Sequence, residues 1–279
     1  VPITASVRVG ALAFDLGASA LTTHVQLSNG NGRAVNGLTD ARIRVVGRFL
    51  GDRLALTGGV NAPTGTTRLN DAQVSVLRVM ASPALQFGTP VLGLGAGGSA
   101  GIVYSGQAGD WGLALGTSFE ARGRYAPIES AVAGPASALD LDPGNAVRVS
   151  LGADRLVGQG RFSLMLAADV FGSDRLIVGG PGQGAVESTI RLGPQFSVNA
   201  ALEVSVAGFQ RVTFAVADRY RTQFTGTDGL KMAGSSGNRL EVAAEAVAGG
   251  FGRSGGLVAR IAGALDSGLP FDKSLLTAS

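Results

Sequence analysis

The chain has 279 residues, of which 45% are hydrophobic and only 15% charged, with 44 glycines and 10 prolines. This balance excludes an acidic disordered segment and suits a single domain over residues 1–279. No cysteine and a single histidine exclude thiolate zinc sites, iron–sulfur clusters, disulfide scaffolds, thiol nucleophiles and any multi-histidine metal site, so no metal and no cofactor is expected. The net charge of +3 comes from scattered residues, nearly all arginine with lysine only at Lys231 and Lys273, and gives no footprint for nucleic acid.

A transmembrane helix needs about 18 consecutive apolar residues. The longest charge-free stretch, Ser82 to Gly109, is broken by Pro83, Pro90 and five glycines from Gly93 to Gly101. The dominant period along the chain is two. It predicts twelve strands, at 3–14, 18–28, 41–50, 53–62, 91–105, 111–125, 145–157, 159–171, 188–206, 209–223, 238–250 and 254–267. Ile43, Val45 and Phe49 oppose Arg42, Arg44 and Arg48. Leu113, Leu115 and Phe119 oppose Glu120, Arg122 and Arg124; Val147 and Val149 oppose Arg148. Val212, Phe214 and Val216 oppose Arg211, Arg219 and Arg221, and Val242 opposes Glu241 and Glu245. Because side chains alternate across a strand, each has one apolar face and one that is small or charged.

Repeated alternating segments of about ten residues predict an all-β, antiparallel transmembrane β-barrel in a bacterial outer membrane. A soluble β-sandwich also alternates, but its charged face would meet water as a mixture of lysine and glutamate, whereas here it is small, arginine-rich and lysine-poor. Connector lengths follow the barrel pattern. Tight turns are expected at Gly51-Asp52, Gly106 to Asp110, Gly158 to Gly160, Ala207-Gly208 and Gly252 to Gly255. Long loops are expected at Asn29 to Asp40, Ala62 to Pro90, Ala126 to Gly144, Gly172 to Glu187 and Thr225 to Gly237. One connector disagrees. With both termini on the turn side the first connector should be long, yet the predicted one, Asp15 to Ala18, is short. Either the numbered chain lacks one strand at each end of a fourteen-stranded barrel, which is the expectation, or the first hairpin turns elsewhere.

One segment departs from period two. Asn70 and Asp71 are candidate caps for a short exterior-loop helix through Ala81, with Val74, Leu77 and Met80 as a candidate lid and rim packing as the plainer role. Two patterns imitate chemistry. Gly93-Leu94-Gly95-Ala96-Gly97-Gly98 fits a dinucleotide fingerprint, but a strand rather than a helix is expected after it. His24 and Ser28-Asn29 suggest an outer-membrane lipid hydrolase, whose corresponding motif spaces the two by two residues. Here the spacing is four, about 13 Å of extended chain, too far for a hydrogen bond between them. No catalytic residue is assigned, and His24 is expected at the rim. Aromatic residues make up only 6%, few for interfacial girdles, with the one tryptophan, Trp111, beside a turn.

Gly59-Val60-Asn61-Ala62-Pro63-Thr64-Gly65 and Ser82-Pro83-Ala84-Leu85-Gln86-Phe87, within Arg53 to Glu129, resemble outer-membrane channels of the phenol-degradation meta-pathway, relatives of the long-chain fatty-acid transporters. The resemblance implies fourteen strands, an N-terminal plug and passive passage of small hydrophobic or aromatic compounds, with membrane lipid as the other partner. Candidate lumen-lining residues are Arg122, Arg124, Arg148, Arg211, Arg219, Arg221 and Glu241. The alternative is a general porin or structural barrel, for which an arginine-rich lumen predicts anion preference.

Overall fold

The computed structural model describes residues 2–26, 32–70, 72, 73, 76, 92–129, 138–180, 183–206, 209–249 and 256–268. In chain order the strands are β1 (Pro2–Val9), β2 (Leu12–Gln26), β3 (Gly32–Leu38), β4 (Ala41–Phe49), β5 (Leu54–Ala62), β6 (Gly97–Ala108), β7 (Trp111–Arg122), β8 (Tyr125–Glu129) and β9 (Ala138–Asp142). They continue as β10 (Ala146–Val157), β11 (Gly160–Phe171), β12 (Ser173–Gly180), β13 (Gln183–Arg191), β14 (Gln195–Val206), β15 (Phe209–Arg221), β16 (Gly237–Gly249) and β17 (Gly256–Gly268).

Twelve of these form one antiparallel up-and-down wall in the order β1-β2-β4-β5-β6-β7-β10-β11-β14-β15-β16-β17, with β3 paired to the far half of β2. This is the all-β, barrel-type meander expected, left unclosed between β1 and β17. Among the described residues the tight turns fall at one end, the turn end, and the long connections leave from the other, the loop end. Two-residue turns at Gly10-Ala11, Gly109-Asp110 and Gly158-Gln159 each place glycine first, at φ of 60°, 61° and 59°. That position of a type II′ hairpin requires positive φ, which glycine adopts without a Cβ penalty.

The first hairpin is corrected. Its turn is Gly10-Ala11, not Asp15 to Ala18, and β2 runs unbroken through that segment, pairing Val7 with Phe14 and Ser6 with Asp15. The first connector is therefore as short as predicted and lies at the turn end with the other short ones, which places the start of β1 and the end of β17 at the loop end rather than on the turn side. The predicted strand 188–206 is also divided. At the break Gly193 passes so close to the Thr222 and Gln223 carbonyls that no Cβ fits, and Pro194 has no N–H for a ladder. The predicted start at 91 moves to Gly97, because Leu92 turns inward and is 1% exposed, while Gly95 takes φ of 79°.

Three predicted loops carry strands. β3 folds back on β2, and β8 and β9 join β12 and β13 in a four-stranded sheet of order β13-β12-β9-β8 at the loop end. The predicted helix begins as expected. The Asn70 side chain accepts from the Gln73 amide and the Gln73 side chain accepts from the Asn70 amide, both at 3.0 Å, a reciprocal capping box. Ala72, Gln73 and Val76 are helical; the lid candidates Val74, Leu77 and Met80 lie outside the described residues, as do the predicted turns at Ala207-Gly208 and Gly252 to Gly255.

The hydrophobic core sits beside the wall rather than in it. Among the described residues, the buried hydrophobics are Val35, Leu69, Val76, Leu92, Leu141, Leu192 and Phe224, none of them on a wall strand. The main cluster packs Val35, Leu69, Val76 and Leu92 against Leu21 and Val25, closing the β2–β3 hairpin over the loop end.

Candidate functional site

Register sorts the wall into two faces. Directly across neighbouring strands lie Tyr104, Leu115, Leu151, Leu166 and Val198, all apolar in body and 39% to 54% exposed. The row two residues toward the loop end continues the pattern with Ile102, Thr117 and Val149. At the turn end of this apolar face the Trp111 and Phe162 rings meet edge to face at 6.3 Å, with the Arg155 guanidinium 5.7 Å from the Trp111 ring centre. Asp218 departs from the alternation: it shares a row with Val198 and Leu240, near the loop end.

The opposite face is polar and its centre is small. Thr57, Gly101, Ser118 and Arg148 share one row; Gly59, Ser99 and Glu120 share the next. A Cβ added to Gly101 would come within 2.7 Å of the Thr57 hydroxyl, and one on Gly116 within 2.8 Å of the Ser150 hydroxyl, so these glycines let neighbouring strands carry hydroxyls at close quarters.

From β10 to β17 the charges on this face are paired. Arg148 grips the largely buried Asp169 with two bonds of 2.6 and 3.0 Å. Arg161 meets Asp154 at 2.9 Å, and Arg211 lies 3.9 Å from Glu203 and 3.7 Å from Glu245. Glu241 receives Arg219 at 2.8 Å and Arg239 at 2.6 Å. Five of the seven predicted lining residues are thereby placed on this face: Arg148, Arg211, Arg219, Glu241 and, at the end of β7, Arg122. Arg122 is 3.4 Å from Glu120 and lies over the Phe171 ring. Two are off it. Arg124 follows the end of β7 and pairs with Asp140 of the loop-end sheet. Arg221 ends β15 with no exposed surface, its guanidinium 4.8 Å from the Phe224 ring centre. Glu241 and Glu245 are each held by arginine.

The sector from β1 to β4 differs. Arg42, Arg44 and Arg48 stand on the polar face of β4, and Arg8 stands in the row of Val46, the one position where β4 lacks an arginine. All four are exposed. Asp15 is the one carboxylate on this face of β1 to β6 among the described residues; it lies 3.6 Å from Arg44 and accepts from the Ser6 hydroxyl at 2.7 Å. Arg42 and Arg48 make no ion pair among the described residues. Sequence alternation had put Arg42, Arg44 and Arg48 on one face but did not separate them from arginines that have acids across the ladder. That distinction needs register.

A second constellation at the loop end escaped sequence reading. Asp40 is 4% exposed and its carboxylate accepts three bonds, from the Gly65 amide at 2.7 Å, the Leu94 amide at 2.6 Å and the Asn61 side-chain amide at 2.8 Å. The Ala41 amide donates to the Thr64 hydroxyl at 2.8 Å. Here the Pro63-Thr64-Gly65 motif acquires a physical reason. A Cβ at Gly65 would lie 2.7 Å from the Asp40 carboxylate and 2.8 Å from its backbone nitrogen, so glycine alone lets the loop close on the acid. The glycines at 93, 95, 97 and 98 belong to the same clamp and to the start of β6, with a strand following as expected. His24 lies on the β2 extension against Gly32; Ser28 is outside the described residues. In the loop-end sheet, burial pushes the Asp174 carboxyl up, against the Gly144 amide bond and Arg122, which pull it down.

No family model and no curated protein matches the chain. Among solved structures it is similar to the Pseudomonas putida toluene transporter TodX, at 11% identity and a TM-score of 0.41, over 95% of this chain and 80% of that one.

Proposed function

We propose that this chain forms the wall of an outer-membrane channel giving small solutes passive passage. One observation carries the reading: every buried hydrophobic residue described lies off the wall, while the wall exposes leucine, valine and phenylalanine on one face and hydroxyls, glycines and ion pairs on the other. A sandwich would bury that apolar face against a second sheet. A contiguous exposed apolar surface of this size marks contact with lipid or a large partner. Strands β6, β7, β10, β11 and β14 have 12 residues each, and β15 to β17 have 13. At a tilt near 40° such a strand rises about 30 Å, enough for an apolar band of about 25 Å. The polar face then lines the conduit, and Trp111, Phe162 and Arg155 sit at the turn-end interface.

The cargo we propose is small hydrophobic or aromatic compounds, supported by the motif resemblance around Gly59 to Gly65. The second reading, an anion-preferring porin, is supported by the unpaired arginines of β4. Liposome swelling with single-channel recording separates them. Stable ion steps with anion preference favour the porin; a folded, electrically silent barrel that admits toluene into liposomes favours the hydrophobic conduit. A protein that refolds into bilayers and does neither refutes the channel.

A further inference from the structure

We propose that the arginines of β4, with Arg8 beside them, form a one-sided anion path, taking small inorganic and carboxylate anions; this rests on the channel reading above. Register supplies the geometry. Arg42, Arg44 and Arg48 occupy three of four successive polar-face rows of β4, and Arg8 occupies the fourth, across Ala13 from Val46. Each row is two residues from the next, so Arg42 and Arg44 follow one another about 7 Å apart, while Arg8, two strands to the side of β4, stands about 12 Å from Arg44 and from Arg48 across the gap at Val46. The series runs about 20 Å along the strand, which at a tilt near 40° is about 15 Å of depth, over half of an apolar band of about 25 Å. An anion leaving one guanidinium therefore still lies within the field of the next.

Charge balance argues for function rather than scaffolding. From β10 to β17 the described arginines of the polar face meet aspartate or glutamate, which cancels their field at a few ångströms. In the β1–β6 sector the one ion pair these four cations make among the described residues is with Asp15, which is partly taken by Ser6; the other acid nearby, Asp40 two residues before Arg42, is buried and held by the Gly65, Leu94 and Asn61 donors. Arginine cannot shed its proton to escape repulsion. Such a row of like charges is tolerated where mobile counter-ions are supplied. Beside it, β5 and β6 present Thr57, Gly59 and Ser99, short residues whose hydroxyls supply further hydrogen-bond donors on the same face. The opposite sector is close to neutral, so the path occupies one side of the wall rather than its whole circumference.

The test uses the full chain refolded into planar bilayers under a KCl gradient. Wild type is expected to prefer chloride over potassium, and inorganic phosphate is expected to reduce the chloride current. In Arg42→Gln/Arg44→Gln/Arg48→Gln the anion-over-cation permeability ratio should fall roughly threefold, from three screened unit charges about 8 Å from the ion. Removing a paired set, Arg161→Gln/Asp154→Asn, should leave it unchanged. Arg48→Gln alone should shift the ratio in the same direction as the triple variant, which keeps the test available if that variant refolds poorly. Ion steps without anion preference in wild type, or an equal loss in the Arg161/Asp154 variant, overturn the path while leaving the channel standing. A folded protein with no ion steps and no phosphate effect overturns the path, and with no passage of toluene either it overturns the channel as well.

Discussion

Replacing Asp40 by asparagine isolates the loop-end clamp without changing its shape. One oxygen receives the Gly65 amide; the other receives both the Leu94 amide and the Asn61 side chain. Asparagine turns its one acceptor oxygen to the Leu94 and Asn61 donors and sets its NH2 group against the Gly65 amide. One hydrogen bond to a charged acceptor, worth about 1.5–3 kcal/mol, is lost and the other two weaken from charged to neutral by about 1 kcal/mol each, while water recovers part of this, leaving roughly 3 kcal/mol. At 1.4 kcal/mol per factor of ten, local opening becomes about a hundredfold more frequent. Hydrogen exchange in detergent micelles reads this at the Gly65 and Leu94 amides of wild type and Asp40→Asn. Gly65→Ala should act in the same direction, because its Cβ has no room beside the acid. Exchange within about threefold of wild type in Asp40→Asn would mean that the clamp contributes under about 0.7 kcal/mol, and the account of the Pro63-Thr64-Gly65 motif would fail.

Three further outcomes follow from the two faces and the loop-end sheet. Leu115→Arg, in the middle of the apolar face, should destabilise the barrel in lipid by about 2–4 kcal/mol in urea titrations, against under about 1 for Ser118→Arg on the polar face; equal costs would remove the case for lipid contact. Arg148→Met strands the buried Asp169 carboxylate and should cost about 1–2 kcal/mol, and Arg148→Met/Asp169→Leu should regain at least half of it, a recovery whose absence would mean the pair is not coupled. Asp174 has a folded-state pKa raised above its ordinary 3.8, so the folded sheet binds the proton more tightly than the unfolded chain. Its local stability should therefore rise as pH falls through the window between the raised value and 3.8, read as slower exchange at Gly144 after correction for intrinsic rates. Asp174→Asn should flatten that slope, and a wild-type slope of opposite sign would refute the burial argument.

Strand parity was legible because it is local. Phe119 and Glu120 point to opposite faces whatever lies beside them, and a wall with little buried mass leaves that pattern uncorrected. The type and number of wall strands and the strand after Gly98 followed from it, and the Asn70 cap followed from side-chain chemistry where the period of two stops. The first turn did not. Gly10-Ala11 and Asp15 to Ala18 both interrupt an alternating run, and only the pairing of Val7 with Phe14 selects between them. The β12 and β13 strands were equally hidden, since loop segments become a sheet only when they meet.

The candidate site divides along the same line. Sequence by itself determined that arginine, small residues and the few acids share one face, because a period of two fixes sides without any partner. It also excluded thiol and multi-histidine chemistry by composition. Tertiary structure decided which charges are neutralised: Arg219 has Glu241 across the ladder, whereas Arg42 faces Asn61 and Arg48 faces Ala55. It decided too that Asp40 reaches amides 25 and 54 residues away. The physical reason is that an ion pair or a clamp is a property of register and of distance in space, and neither exists until strands far apart in the chain have been set side by side.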